Sequence, residues 1–187
     1  QKTAYEIVSR DWSSDVCSSD LPEGIGRRVV LDYLAAYERY RGLDWVALAL
    51  ANVYGPRQDP AVEGGVVATF AAQLVAGEVP TVLGDGNQTR DFVFVADVAH
   101  AFALATDRGL GRLVNVGTGR ETSVNALYRL LSGIVGSAPK PAPGPLPPGD
   151  LRRMALDPAL AAEVLGWRPW THLEDGLAET VAYLRGV

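Results

Sequence analysis

"RRVVLDYLAAYERYRGLDWVALALA", residues 27–51, is the stretch whose reading decides the fold class. Its first part places Val30, Leu31, Leu34 and Tyr37 at helical spacing, and Gly42 follows as a residue suited to a left-handed C-cap. Its second part, "DWVALALA" at 44–51, is a short, nearly continuous apolar run bounded by turn residues. Such a run predicts a strand covered on both faces, as in a parallel sheet. A helix, a short Gly turn and a buried strand make the second half of a βαβ unit.

Working outward toward the C-terminus, the alternation continues. "VVATFAAQLVAG" predicts a helix closed by Gly77. "PTVLGDGNQTRDFVFVADVAHAFALA" predicts a short strand, a Gly-Asp-Gly turn, a strand at 91–95 and a helix capped by Asp97. "RLVNVGTG" reads as a further strand, and "SVNALYRLLSGIVG" as a helix capped by Ser123. Six of the twelve prolines fall within 139–148, which predicts an extended, stiff segment. A short helix with Pro158 near its start and Gly166 after its end follows, and "THLE" predicts a capping box of Thr171 and Glu174 for the last helix. Strands and helices alternate without an internal repeat, so the class is α/β.

In the other direction the pattern stops at Pro22. Residues 1–21 carry the only cysteine, Cys17, and no apolar period. No apolar core run marks a signal peptide there, and Glu6, Asp11, Asp15 and Asp20 argue against a transit peptide. Read back into codons, Gln1 to Ile7 and Asp11 to Leu21 resemble two halves of an indexing adapter from short-read libraries, with Val8 and Ser9 on the variable index. A disordered polar tail is the alternative. On the adapter reading, residues 1–21 are not native and stay outside the fold. The formal net charge of -5 then becomes -3, with 15 basic and 18 acidic residues remaining. A mildly acidic chain without basic runs predicts no nucleic acid and no anionic membrane as partner. No apolar run approaches the roughly 20 residues that span a bilayer, so a cytoplasmic location is expected.

Candidate chemistry concentrates in two places. "NVYGPRQDP" follows the carboxyl end of the buried strand, where open α/β sheets bind ligands, so Asn52 is either a polar contact or a turn former beside Tyr54. In "GDGNQTRDF", Arg90 heads a strand, where a guanidinium can grip a phosphate through two hydrogen bonds. The competing reading is a surface ion pair with Asp91. "GTG" at 117–119 is a weak dinucleotide-loop signal, because Thr122 stands where the third Gly would be. His100 and His172 lie at helix or cap positions away from any cysteine cluster, so no metal site is expected.

"ALANVYGPRQDP", "GDGNQTRDFVFVADVAHAFALA", "LVNVGTGRETSVNALYRLL" and "LGWRPWTHLEDGLAETVAYL", in this order, resemble the NAD-dependent epimerase/dehydratase family, the extended short-chain dehydrogenases. The pattern is nearest to the UDP-glucose 4-epimerase branch and covers residue 22 to the C-terminus. The resemblance implies the C-terminal part of a Rossmann-type parallel sheet plus a small α/β substrate domain. Residues 22–60 would close the NAD-binding domain, and 61–187 would be mainly the nucleotide-sugar domain. It implies an isomerase with NAD as cofactor and a UDP-sugar as substrate, in a homodimeric parent protein. The reaction would interconvert UDP-glucose and UDP-galactose through a 4-keto intermediate.

Carried over residue by residue, the resemblance places the Leu50 backbone near the nicotinamide and Asn52 on the nucleotide sugar. It sets the backbone of Val66, Val67, Thr81 and Leu83 against the diphosphate or uridine, Arg90 on the phosphates and Asp150 on the ribose. The family's Tyr-x-x-x-Lys pair falls on Glu23 and Arg27, so no catalytic residue transfers: Glu23 lacks a phenol's proton affinity, and Arg27 does not readily release a proton. Pro147 occupies a family Arg position, leaving Arg90 as the main phosphate cation with Arg152 or Arg153 as substitutes. The chain is therefore expected to be an inactive fragment by itself. The alternatives are another dehydratase or decarboxylase of the family, or a non-catalytic nucleotide-sugar binding module.

Overall fold

The apolar spacing after Arg27 does make a helix. In a computed structural model, which describes residues 22–61, 65–108, 111–146 and 150–186, α1 runs Pro22–Arg41 and ends at Gly42 with φ +66°. The expectation for residues 1–21 and the position of Pro147 lie outside the described residues. The stripe expected on α1 is only partly covered: Leu31 is buried, while Val30 is 56% and Tyr37 54% exposed.

β1, Val46–Leu50, follows a short turn, and Trp45 Nε1 donates to Glu38 Oε2 at 3.0 Å to tie the strand's start to the helix. The strand was expected to be covered on both faces. Instead all five positions are half-buried, and its only partner among the described residues is β6, Arg112–Val116, in parallel register. β2, Asn52–Tyr54, continues the chain and pairs in parallel with β5, Phe92–Phe94. Between them come α2, Val66–Ala76, closed by left-handed Gly77; β3, Thr81–Leu83; and β4, Thr89–Arg90. α3, Val95–Ala105, leads into β6. Then follow β7, Thr122–Ser123, antiparallel to β4, and α4, Val124–Val135. The described part of the proline segment forms β8, Ala142–Gly144, parallel to β3. Two helices close the chain, α5 at Ala159–Val164 and α6 at Leu173–Arg185.

β5 is the wall between two cores, and the two-residue period of a strand explains why. Phe92 and Phe94 face a core built from α2, α4, α6 and Val82, where Tyr54 meets both rings edge-on at 6.4 and 5.5 Å. Val93 faces the other way, into a core of β1, β6, α3 and α5 centred on the fully buried Trp167.

Local capping was legible only in part. Ser123 caps α4 as expected, its hydroxyl accepting from the Ala126 N–H at 3.1 Å. Asp97 does not cap α3: that helix starts at Val95 after Phe94, so Asp97 sits inside its first turn. Thr171 does not cap α6 either, since His172 takes the N-cap position without a side-chain bond. Both predicted caps bond to each other instead, because burial of the Asp97 carboxylate demands donors that only the distant segment supplies.

Candidate functional site: the β4–β5 junction and its strap

Three consecutive residues, Thr89, Arg90 and Asp91, hold one strap of chain, residues 150–156. The Thr89 N–H donates to the Arg152 carbonyl at 3.0 Å. Arg90 Nη1 donates to the Leu151 carbonyl at 2.7 Å and to its neighbour Thr89 O at 2.7 Å, while Nη2 pairs with the Asp150 carboxylate. The Asp91 carboxylate accepts from the Leu156 N–H at 3.2 Å. Successive side chains of a strand point to opposite sides, so Arg90 and Asp91 cannot pair with each other. The ion-pair partner of Arg90 is Asp150, with side-chain exposures of 15% and 23%. The surface pair with Asp91 is thereby excluded.

Arg90 spends three of the five N–H groups a guanidinium owns, leaving two free for an anion among the described residues. Its neighbours are less available. Arg152 forms a two-pronged pair with Asp85 at 2.9 and 2.8 Å, and this fork holds the Asp85 carboxyl far below the usual carboxylate range. Arg153 forks onto Glu121, which also accepts from the Thr89 hydroxyl at 2.6 Å. The Arg153 hydrogen bonds, then the Thr89 one, lower the Glu121 carboxyl to about 2. Both substitutes for a phosphate cation are thus already committed to carboxylates.

The "GTG" turn has a different task from the one its spacing hints at. Asp91 is fully buried, and the Thr118 N–H, the Thr118 hydroxyl and the Gly119 N–H all donate to it, the two N–H groups at 3.0 Å. A Cβ at Gly117 would stand 2.6 Å from Asp91 Oδ2, so only glycine allows this approach. Those amides hold the protein's own carboxylate. Asp91 was the residue sequence reasoning missed; the available signal was strand alternation, which separates it from Arg90.

The remaining expected residues spread over the same end of the sheet. Leu50 ends β1 opposite Val116, and the Asn52 N–H donates to the Asp91 carbonyl at 2.9 Å, one residue from Arg90. Val66 and Val67 open α2, whose first-turn N–H groups have no acceptor within the helix. The Val67 side chain itself is buried in the core. Thr81 and Leu83 flank buried Val82 on β3 with exposed side chains, and the Leu83 carbonyl is held by Gln88 Nε2 at 2.9 Å. None of these four bonds to Arg90 or Asp150 among the described residues. Glu23 and Arg27 lie in the first two turns of α1.

A cleft of about 300 Å³ lies along residues 53–58 and Val95. Arg57 faces it from a left-handed backbone, φ +72°, a conformation uncommon for a residue with a side chain. Tyr54 beside it is no proton donor near neutrality: burial, then the nearby Asp97 charge, pushes its hydroxyl far up. His100 stacks edge-on against Trp170 at 5.2 Å, and the described residues contain no group of three or more His, Cys, Asp or Glu able to hold a metal ion. No helix among them is long and apolar enough to cross a membrane.

Residues 24–117 match the model of the NAD dependent epimerase/dehydratase family. The chain is 49% identical over 154 residues to a UDP-glucose 4-epimerase of Mycolicibacterium smegmatis, covering 82% of this chain and 49% of that protein. Among solved structures it resembles the Thermotoga maritima UDP-glucose 4-epimerase with UDP-glucose, at TM-score 0.86 and 45% identity, covering 87% of this chain and 53% of that one. The Thermus thermophilus UDP-glucose 4-epimerase complex with NAD aligns at TM-score 0.76 and 42% identity over 83% of this chain and 51% of that one. The chain spans about half the length of the curated relatives it matches. The Rossmann-type α/β architecture expected from the sequence is the one these structures share.

Proposed function

Because this chain belongs to the NAD dependent epimerase/dehydratase family, we propose that it supplies the nucleotide-sugar side of an isomerase. That enzyme interconverts UDP-glucose and UDP-galactose through a 4-keto intermediate, with NAD bound. The observation that carries the reading is the Arg90–Asp150 pair. One residue is suited to phosphate oxygens and the other to ribose hydroxyls, and they are held against each other on a rigid strand end.

In this reading Arg90 grips the diphosphate through its two remaining N–H groups. Asp150 accepts from the ribose, and Asn52 meets the sugar beside them. The opening N–H groups of α2, at Val66 and Val67, add a positive helix end toward the diphosphate. The backbone of Thr81 and Leu83 meets the uridine. Residues 22–60 belong to the cofactor side and 61–187 mainly to the sugar side. The exceptions are α3, β6 and residues 156–167, which pack around β1.

NAD supplies the hydride acceptor and donor when bound. Of this chain we assign only the Leu50 backbone to it, since the 117–119 turn is filled by Asp91 and its negative charge would repel a pyrophosphate. With Glu23 and Arg27 at the proton-transfer positions, no residue of this chain is assigned to move the 4-hydroxyl proton. We further assign a homodimer and a cytoplasmic setting; the exposed Ile25, Tyr33 and Tyr37 side of α1 supports the former.

Calorimetric titration with UDP tests the proposal. Arg90→Ala is expected to weaken binding by about 2–4 kcal/mol, as for a desolvated charge contact, and Arg90→Lys to recover part of that. Equal affinity in the Ala variant would overturn it.

A further inference from the structure

We infer that Asp91, which the proposed function leaves without a role, is a positioning residue that sets the Arg90–Asp150 geometry without touching the ligand. The inference rests on the reading of Arg90 as the diphosphate ligand.

A carboxylate taken wholly out of water needs full hydrogen bonding. Asp91 obtains it from four neutral donors: the Thr118 N–H and hydroxyl, the Gly119 N–H and the Leu156 N–H. Two separate segments are thus fastened to one side chain. Its own carbonyl accepts from the Asn52 N–H at 2.9 Å, which fastens a third. The strap carries Asp150 at one end and Leu156 at the other. Arg90 holds the first end and Asp91 the second, while the Thr89 N–H holds Arg152 between them.

Releasing the Asp91 end would let the strap slide along β4. Asp150 and the Leu151 carbonyl would then no longer meet the guanidinium at the same angle, and the two N–H groups left for phosphate would turn with it. The binding of the diphosphate should therefore depend on Asp91, whereas contacts to the base should not. Asn is nearly the same shape as Asp, yet it turns one N–H₂ toward donors and loses the charge, so Asp91→Asn addresses the cradle with little change of volume.

Binding of UDP and of uridine to the full chain, measured calorimetrically, tests this. Expected are a fall of about tenfold or more in UDP affinity for Asp91→Asn, a clearly smaller loss for uridine, which meets Asp150 through its ribose and lacks the diphosphate, and an Arg90→Ala/Asp91→Asn double variant no weaker than Arg90→Ala. Thr118→Val, which removes a single donor, should show a smaller loss in the same direction and serves if Asp91→Asn does not fold. Equal losses for UDP and uridine would make Asp91 a scaffold residue and overturn the inference, as would full additivity with Arg90→Ala or an unchanged UDP affinity. If the unaltered chain bound uridine but gained nothing from the diphosphate, the proposed role of Arg90 would fail instead, and this inference with it.

Discussion

Thr171 donates twice to Asp97, from its hydroxyl at 2.7 Å and from its backbone N–H at 3.1 Å, across 74 positions of sequence. The Trp170 N–H adds a third bond at 3.2 Å, and the Asp97 carbonyl accepts from the indole of buried Trp167 at 2.8 Å. One aspartate in the first turn of α3 thus docks the approach to α6.

Removing that carboxylate strands three donors. Asp97→Ala should cost about 2–4 kcal/mol, because the three part-buried donors each lose a bond to a charged acceptor. Thr171→Val removes one bond to a charged acceptor and should cost about 1.5–3 kcal/mol. Urea unfolding midpoints, with the slope unchanged, read both.

Two helical glycines should respond to alanine with opposite signs. At Gly133, exposed within α4, a Cβ meets nothing within 4 Å, so Gly133→Ala should stabilise by about 0.4–1 kcal/mol. At Gly176 in α6 a Cβ would press on the Tyr54 hydroxyl and stand 2.8 Å from Phe94 Cδ2. Both rings are fixed in the core, so overpacking of about 1–3 kcal/mol outweighs the propensity gain and Gly176→Ala destabilises. Thermal unfolding of the two variants side by side gives the signs.

Glu121 offers a pH test. Its folded carboxyl lies at about 2 against an ordinary value of 4.5, a lowered pKa. A lowered folded value stabilises above the unfolded pKa and is lost as pH falls through the folded one. The advantage of the native protein over Glu121→Gln should be full above about pH 4.5 and vanish near pH 2. Denaturation midpoints of both proteins across that window check it, and a constant difference would contradict the pairing with Arg153. The contribution is modest at neutral pH, since Arg153 is largely exposed.

Purified chain supplied with NAD should not interconvert UDP-glucose and UDP-galactose, because the proposed function puts Glu23 and Arg27 where a Tyr and a Lys would move the proton. A coupled assay for the sugar nucleotides reads this, and measurable turnover would require another residue to act as base.

Much of the architecture was legible in the sequence because it is settled within a few residues. The ends of α1 and α2 are set by Gly42 and Gly77, whose positive φ values of 66° and 77° are intrinsic to glycine. The Ser123 cap bonds three residues ahead, and the apolar run before Asn52 could form little but a strand. The motif order likewise carried the family, and Arg90 was already marked as a candidate phosphate ligand. What the sequence could not decide were the partners of polar groups that meet across long loops. Arg90 finds Asp150 at 60 positions and Asp91 finds Leu156 at 65, in place of each other. Asp97 and Thr171 look like two separate helix caps, yet each is used by the other. A hydroxyl or carboxylate bonds equally well to any nearby donor or acceptor, so its sequence context leaves the choice open. Only the packing of the strap and α6 against β5 and α3 brings one partner within hydrogen-bonding distance and shields it from water.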